Sequence, residues 1–540
     1  MNTNLRMKAK ITYNLLLFCF LFGEEFVDDA FFQAQDKNAI KFAQIITAED
    51  AKKHLSVLAS DEYEGRETGQ AGQKKAAKYI ADDFKNIGLR SATDETYLQK
   101  FPLTLNTPEG ASIQMDETFY ENLKDFYVFP LGKDLKLEAK NILFLGYGIS
   151  DSLYNDYTNV DVKGKIVMVL GGEPMNKDSV SYITGTKEVS DWSSNFRKKS
   201  EFARKKGAEA LIVVNKNLEA NIQTLKGYLE STSLQLHSDD PDLKERKKKI
   251  PHVGISLKMA NEILSANKMS VDDIKRKIGS TKQSVSFEIK SPFTLEIKNK
   301  EDEISSENVL GMIEGSEFKD EVVFVTAHYD HLGIRGGKVF NGADDDGSGT
   351  VGVMEIANAF EKAKEAGFVP KRTIVIMTVA GEEKGLLGSS YYTDHPIFPI
   401  KNTVCDLNID MIGRVDDDHK DSINYIYIIG SDKISTGLHK INENANAVYT
   451  KLKLDYKYNA PDEPNRFYYR SDHYNFAEKG VPIIFYFNGT HEDYHEETDE
   501  VQKINFDLLV KRAQLVFYTA WEVANRKNRI VSDVPQEKTK

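Results

Sequence analysis

The chain has 540 residues, with 83 Asp and Glu against 71 Lys and Arg, which gives a net charge of −12. With 40% apolar and 10% aromatic residues it has a globular composition, so a disordered, collagenous or coiled-coil chain is excluded. The acidic balance argues against a nucleic-acid-binding protein, because phosphate contacts require a basic surface. Its two cysteines, Cys19 and Cys405, are too few for a disulfide framework.

The amino terminus has the order of residues that is typical of a secretory signal. Arg6, Lys8 and Lys10 precede an apolar run at residues 11–22, which is too short to cross a bilayer comfortably. We therefore predict that residues 1–34 are a signal segment. The protein is then expected in the periplasm or outside the cell, without stable membrane association once the signal is removed. An uncleaved anchor or an amphipathic terminus stays open as an alternative, because no clean small-x-small cleavage site follows.

Two segments with different patterns come next. Apolar residues recur at helical spacing from residue 48 to residue 87, with the clearest amphipathic helix at residues 76–87. Short β-like runs such as residues 142–145 and 165–170 then take over, with one helix at residues 201–206. The predicted domains are a catalytic domain at residues 35–107 and 290–526, an inserted mainly β domain at residues 108–289, and a polar tail at residues 527–540.

From residue 308 onward, predicted strands and helices alternate along the chain. The strands are residues 322–326, 373–379, 402–409, 423–429 and 481–487, and the helices are residues 350–364, 386–393 and 506–525. This alternation predicts an α/β fold with a mostly parallel central sheet and helices on both faces.

Ligand-type side chains follow four of these strands at their carboxyl ends. They are His328, Tyr329, Asp330 and His331 after the first strand, Glu382 and Glu383 after the second, Asp410 after the third, and His495 after the last. In an open α/β sheet the carboxyl ends share one edge, where ligands bind. We therefore expect these side chains to converge with the aspartate triplet at residues 344–346.

This set of side chains indicates a metal site. A single histidine at a strand end is usually a hydrogen-bonded core or surface residue, and an aspartate triplet before glycine is usually a turn or a helix cap. Adjacent carboxylates after an apolar strand, however, oppose packing unless a cation balances them. Imidazoles and carboxylates without a thiolate favour zinc, with manganese or cobalt as alternatives.

In order and spacing, five motifs resemble the two-zinc exopeptidases of the bacterial leucyl aminopeptidase, aminopeptidase Y and glutamate carboxypeptidase type. They are HYDH at residues 328–331, GADDDGSG at 342–349, GEEKGLLGS at 381–389, NIDMIGR at 408–414 and DYH at 493–495. Residues 163–170 and 201–214 resemble the protease-associated domain that many of these enzymes carry as an insertion.

The resemblance implies two Zn²⁺ per chain and assigns their ligands. The implied ligands are His328 and Asp410 for one ion, Glu383 and His495 for the other, and Asp345 as the bridge between them. Glu382 would be the general base. Asp330 would accept a hydrogen bond from the second ring nitrogen of His328, and Tyr494 would donate to the developing oxyanion.

The resemblance also makes expectations for the neighbours of these residues. The peptide bond after Asp345 is expected to be cis, Asp346 to cap the following helix, and Asp344 to have no essential role. Three further histidines match no ligand position and are expected to line the pocket or to lie at the surface. They are His331, His473 and His491.

The activity implied by the resemblance is that of a secreted aminopeptidase acting on peptides. A carboxypeptidase or dipeptidase is the main alternative, and it would need a cationic group for the substrate carboxylate, such as Arg414, Arg466 or Arg470. A one-zinc acyltransferase of the glutaminyl cyclase type is disfavoured, because such relatives lack the first ligand histidine, present here as His328. A non-catalytic binding module is disfavoured because no ligand is lost. The sequence carries no signal for the oligomeric state.

Overall fold

The structure is a computed structural model that describes residues 35–93, 96–237 and 249–535. The predicted signal segment lies outside these residues. The chain divides into two units: an insert unit, Lys100–Ser306, and a core unit that contains the described residues up to Gln99 and from Glu307 onward. Within the described ranges, no helix is both long and apolar enough to cross a membrane.

The core unit contains the predicted α/β sheet. Its strands lie in the order Lys453–Asp455, Tyr425–Ile429, Ile483–Phe487, Thr403–Ile409, Phe318–His328, Arg372–Val379, residues 309–313 of Ser286–Ile313, and Arg90–Ser91. The four strands from Ile483–Phe487 to Arg372–Val379 are parallel to one another, and antiparallel pairings flank them on both sides. The prediction of a mostly parallel sheet is therefore confirmed.

Helices cover both faces of this sheet. They are Lys37–Ala43, Ala48–Leu58, Ala71–Ile87, Gly349–Glu365, Leu387–Asp394, Thr436–Ala445, His473–Glu478 and Phe506–Asn525. On one face, Phe324 packs at 5.3 Å from the ring of Tyr392 and at 5.4 Å from that of Phe476. Gly349–Glu365 and Phe506–Asn525 pack against the sheet and against each other. Helices can pack on both faces of the sheet because successive strand residues point to opposite faces.

The insert unit has its own parallel strands and its own apolar core. Its strands are residues 100–115 of Leu98–Met115, Thr118–Glu121, Phe126–Val128, Leu135–Leu145, Ile166–Leu170, Ala210–Asn215, Ser233–Leu236, His252–Ser256 and residues 286–297 of Ser286–Ile313. Its helices are Asp191–Ser194, Phe196–Lys205, Leu218–Leu229, Leu257–Ser265 and Val271–Thr281. The insert therefore holds more helix than the single one predicted, and a Ser270 capping box begins the last of these helices.

The ends of the insert unit differ from the predicted boundaries at residues 107/108 and 289/290. Leu98–Met115 and Ser286–Ile313 are continuous strands that cross both positions, so no loop or change of composition marks the border there. At the other end of the chain, the predicted polar tail contacts the core unit as far as residue 534. Ile530 is buried, and Asp533 Oδ1 accepts from the backbone nitrogen of Thr436 at 2.8 Å.

Candidate metal centre

The parallel strands bring the predicted ligands to one edge of the sheet, as the strand-end pattern indicated. His328 is the last residue of Phe318–His328, and Asp410 directly follows Thr403–Ile409. Glu383 comes from the turn after Arg372–Val379, and His495 from the longer loop after Ile483–Phe487. Side chains that are far apart in sequence therefore meet because their strands share a direction.

The carboxylate of Asp345 lies between two histidines. His328 Nε2 is 3.4 Å from Asp345 Oδ1 and 3.7 Å from Asp410 Oδ1. On the other side, His495 Nε2 is 3.1 Å from Asp345 Oδ2 and 3.3 Å from Glu383 Oε2. Ligand atoms bound tetrahedrally to zinc at about 2.0–2.1 Å are about 3.3 Å apart, so these separations fit two neighbouring ions.

The buried charge of this cluster also fits divalent metals. Asp345 Oδ2 and Glu383 Oε1 are buried, and the polar groups that face them are ring nitrogens of His331 and His495. In the part of the chain that the structure describes, no lysine or arginine forms an ion pair with Asp345, Glu383 or Asp410. Buried carboxylates are costly without a compensating positive charge, and two divalent cations would supply it.

His331 lies inside the cluster, where the sequence had suggested only a lining or surface residue. It is fully buried, and its Nδ1 is 2.9 Å from Glu383 Oε1 and 3.8 Å from Asp345 Oδ2. With these two carboxylates it forms a second group that could hold a metal ion. The strand-end rule that selected His328 applies equally to His331, so the signal for it was present in the sequence.

Asp330 makes contacts that differ from the predicted hydrogen bond. Nδ1 of His328 lies 3.1 Å from the backbone carbonyl oxygen of Asp330, whereas the carboxylate is 3.8 Å away. The carboxylate instead accepts from Thr68 Oγ1 at 2.6 Å and from the backbone nitrogen of Glu382 at 3.2 Å. The predicted carboxylate contact is therefore wrong, because the turn after the strand brings the main chain closer to the ring.

The two adjacent glutamates have opposite electrostatic environments. Burial, together with the carboxylates of Glu383 and Asp410, raises the pKa of Glu382 well above its usual value, although His328 opposes the shift. For Glu383, burial and Asp345 act to raise the pKa, but hydrogen bonding to His331 and His495 outweighs them and lowers it to about 2. Two neighbouring carboxyl groups whose pKa values differ in this way are typical of a site in which one group transfers protons and the other stays ionised.

A pocket with aromatic walls opens beside the cluster. It is lined by Asp345, Glu382, Asp410, Met411, Phe467, Arg470, Phe485, Phe487, Tyr494 and His495. The Tyr494 ring stacks on His495 at 4.0 Å, and its hydroxyl accepts from Arg470 at 3.3 Å. Of the three arginine candidates, Arg470 lines this pocket, Arg414 is paired with Asp493 at 2.8 Å, and Arg466 lies over the ring of Tyr469.

Two expectations for the aspartate triplet are confirmed. The Asp345–Asp346 peptide bond is cis. Asp346 Oδ1 accepts from the backbone nitrogen of Gly349 at 2.9 Å, at the start of Gly349–Glu365, and from that of Met411 at 2.8 Å. Asp346 therefore joins the helix start to the segment that follows Asp410.

Asp344 has more hydrogen-bond partners than the expectation of no essential role implies. Its carboxylate is fully buried, and four donors surround it. They are Ser348 Oγ, the backbone nitrogen of Gly413, Asn488 Nδ2 and His491 Nε2, at 2.9, 2.7, 3.1 and 3.1 Å. His473, by contrast, is a core residue whose Nε2 lies 2.8 Å from the Tyr468 carbonyl oxygen.

Comparison with known proteins identifies two families in the chain. Residues 308–520 match the model of Peptidase family M28, and residues 139–263 match that of the PA domain. The predicted resemblance is therefore confirmed: the chain carries a peptidase domain of family M28 and an inserted PA domain.

Individual relatives agree with this assignment. Aminopeptidase YwaD of Bacillus subtilis (strain 168) is 23% identical over 484 residues, which cover 88% of this chain and 85% of the relative. A probable zinc metalloprotease of Pyrenophora tritici-repentis (strain Pt-1C-BFP) is 28% identical over 269 residues, 41% of this chain and about half (52%) of the relative. An aminopeptidase structure from Aneurinibacillus sp. strain AM-1 shares the fold, with a TM-score of 0.53 and 19% identity over 93% of this chain and 100% of that chain.

Proposed function

We propose that this protein is an extracytoplasmic two-zinc aminopeptidase that removes amino-terminal residues from peptides. The observation that carries the proposal is the shared carboxylate of Asp345, with one oxygen 3.4 Å from His328 and the other 3.1 Å from His495. The M28 match supports peptide hydrolysis. The fungal relative named as a zinc metalloprotease supports zinc, and the Bacillus relative named as an aminopeptidase supports the amino-terminal site of attack.

In the proposed centre, each ion would have two ligands of its own and would share a third. The proposed ligands are His328 and Asp410 for one ion, Glu383 and His495 for the other, and Asp345 for both. Bound zinc supplies Lewis acidity, which polarises a scissile carbonyl and lowers the pKa of water. His331, with Nδ1 2.9 Å from Glu383, orients that carboxylate in this assignment.

Glu382 is the proposed general base. It takes a proton from the attacking water and passes it to the leaving amine, and its raised pKa suits both steps. The Asp330 carboxylate keeps Glu382 in place by accepting from its backbone nitrogen. Burial, with the carboxylates of Asp345 and Glu383, raises the pKa of Tyr494, so its hydroxyl stays protonated and can donate to an oxyanion.

Arg470 favours a second candidate function. Arg470 lines the same pocket as Glu382, and its guanidinium, which donates to the Tyr494 hydroxyl, could pair with the carboxylate of a peptide. A carboxypeptidase or dipeptidase would use such a pair at the end of its substrate, whereas an aminopeptidase has no need for it.

A substrate panel separates the two functions. Aminoacyl amides with a free amine and amino-blocked peptides with a free carboxylate are each incubated with enzyme, with and without chelator. We expect cleavage of the free-amine substrates, loss of activity on chelation and recovery with zinc. We also expect Arg470→Ala to cleave aminoacyl amides about as well as the matched control Arg466→Ala. Cleavage of the blocked peptides at their carboxyl end, lost in Arg470→Ala alone, would contradict the aminopeptidase.

A further inference from the structure

Arg66 is a fully buried arginine whose guanidinium binds main-chain carbonyls of the core unit. The residue is 1% exposed. Its Nε donates to the carbonyl of Tyr329 at 2.7 Å, and its terminal nitrogens donate to those of Asn341 at 2.8 Å and Gly342 at 2.9 Å. A fourth bond reaches the Leu58 carbonyl at 2.7 Å. Four of the five donors of the guanidinium therefore hold backbone oxygens.

Three of these carbonyls belong to the segments that carry proposed ligands of one ion. Tyr329 directly follows His328, and Asn341 and Gly342 begin the turn that leads to Asp345. The backbone nitrogen of His331 also donates to the Arg66 carbonyl, at 3.3 Å. Arg66 therefore connects the end of one strand to the loop that carries the shared carboxylate.

The backbone around Arg66 is adapted to place the side chain there. Arg66 itself has a left-handed φ of 54°, and the preceding Gly65 has a φ of 64°. A Cβ at Gly65 would lie 2.4 Å from the Phe340 carbonyl oxygen, so only glycine fits at this close approach. The segment is thus packed closely against the chain that leads into Asn341.

The positive charge of Arg66 lies among the carboxylates of the centre. Among the described residues, no carboxylate forms an ion pair with it at close range, and its direct partners are carbonyl oxygens. Burial lowers the pKa of Arg66 to about 10, and Asp330, Asp499 and Asp345 oppose the shift. The group therefore stays cationic at neutral pH and partly balances the negative charge around the ligands.

We propose that Arg66 is a positioning residue of the metal centre. Its planar fork holds the Tyr329 and Gly342 carbonyls at a fixed separation, and thereby keeps His328 and Asp345 at the distance that one ion requires. A lysine cannot reproduce this action, because its ammonium is a single point rather than a rigid fork. The inference rests on the proposed metal ligands but not on the peptides that the enzyme cleaves.

Arg372 provides a matched control for a purely structural role. It is also 1% exposed, and its Nη1 donates to the carbonyls of Val523 and Arg526 at 3.1 and 2.6 Å. It stands at the first residue of Arg372–Val379, the opposite end of the strand from Glu382 and Glu383. Substitution of Arg372 should therefore reduce stability without changing the metal centre.

The test compares zinc affinity and thermal stability in five full-length proteins. They are the wild type, Arg66→Lys, Arg66→Met, Arg372→Lys and Arg372→Met. Zinc dissociation constants are measured by competition with a chromophoric chelator, well below every melting temperature, and melting is recorded separately. We expect both Arg66 variants to bind zinc about 10–100-fold more weakly, the usual effect of removing a group that orients metal ligands. The Arg372 variants should melt earlier but keep wild-type zinc affinity.

Several outcomes would overturn the inference. One is unchanged zinc affinity in both Arg66 variants, and another is an equal loss in the Arg372 variants. If Arg66→Met does not fold, the zinc affinity of Arg66→Lys alone tests the inference. Failure of both Arg66 variants to fold, while both Arg372 variants fold, would assign Arg66 to folding and contradict the proposal. Wild-type protein that binds zinc but cleaves no peptide would contradict the proposed function alone.

Discussion

Glu382 and Glu383 are neighbours in sequence but have different partners. Glu383 is in contact with His331 and His495, whereas the closest imidazole nitrogen to Glu382 is His328 Nε2 at 4.0 Å. Both side chains leave the turn after Arg372–Val379 but have different partners, so one can bind metal while the other faces the substrate.

Exchange of each glutamate for glutamine should therefore give different defects. Glu382→Gln is expected to keep two zinc ions and lower kcat about 10²–10⁴-fold, because an amide cannot accept the proton. Glu383→Gln is expected to lose zinc first. Metal content by atomic spectroscopy and kcat on an aminoacyl amide are measured for both variants. Equal metal content in the two would show that the base and the ligand have been assigned wrongly.

Asp406 is a buried carboxyl of the central sheet outside the proposed ligand set. Its Oδ1 accepts from Thr326 Oγ1 at 2.8 Å, and its Oδ2 is buried without a partner. Burial raises the pKa of Asp406 from 3.8 to about 8, and Asp472 adds to the shift. The folded state thus binds a proton that the unfolded state releases, so this group lowers stability as the pH rises from about 4 to about 8.

Asp406→Asn should remove this pH dependence, since its amide can still accept from Thr326. We expect the variant to gain stability relative to the wild type as the pH rises from about 4 to about 8, by about 1 kcal/mol or more, and the difference to level off above pH 8. Urea unfolding at pH 5, 6.5 and 8 measures the stability difference between the variant and the wild type. A stability difference that is the same at all three values would contradict the raised pKa.

At the scale of elements, the sequence was sufficient where apolar periodicity alone decides the structure. The helix predicted at residues 506–525 is found as Phe506–Asn525, and the strand predicted at 402–409 as Thr403–Ile409. Once the strands were predicted, the candidate ligands at their ends could be found as well, because parallel strands bring their carboxyl ends to one edge.

Loop conformation is what the sequence could not supply. Met411 and His495 adopt left-handed φ values of 62° and 61°, which are uncommon for residues with a side chain. Asp344 and His491 are distant in sequence, and the conformation of their loops brings them into contact. The hydrogen-bond partners of Asp330 and Asp344 could not be predicted, because short-range patterns contain no information about them.

The loop around Asp344 gives a test of this conclusion. Asp344→Asn places an amide nitrogen against donors that require an acceptor, so we expect it to destabilise the zinc-loaded protein by about 2 kcal/mol or more. The exposed Asp462 serves as control, and Asp462→Asn should change stability by less than about 0.5 kcal/mol. Both are measured by urea unfolding. Equal stability of the two variants would restore the original view of Asp344 as dispensable.

At the scale of the whole molecule, every proposed ligand lies in the core unit. A chain in which Gln99 is linked directly to Glu307 should therefore still bind zinc and cleave small aminoacyl amides. Its handling of longer peptides is expected to change, because the PA domain is then absent. Zinc content and rates on amides and on decapeptides check this. A folded deletion variant that binds zinc but cleaves no amide would show that the insert takes part in the chemistry.

The central claim is that the carboxylate of Asp345 is shared by two metal ions, so the number of ions per chain is the quantity to measure. Zinc is titrated into chelated, dialysed protein while bound metal per chain and aminoacyl amide hydrolysis are recorded together, with Asp345→Asn as the control. The account predicts that activity recovers fully at two zinc ions per chain and that the control recovers neither tight binding nor activity. Full activity at a single bound zinc per chain, or in protein that holds none, would contradict it.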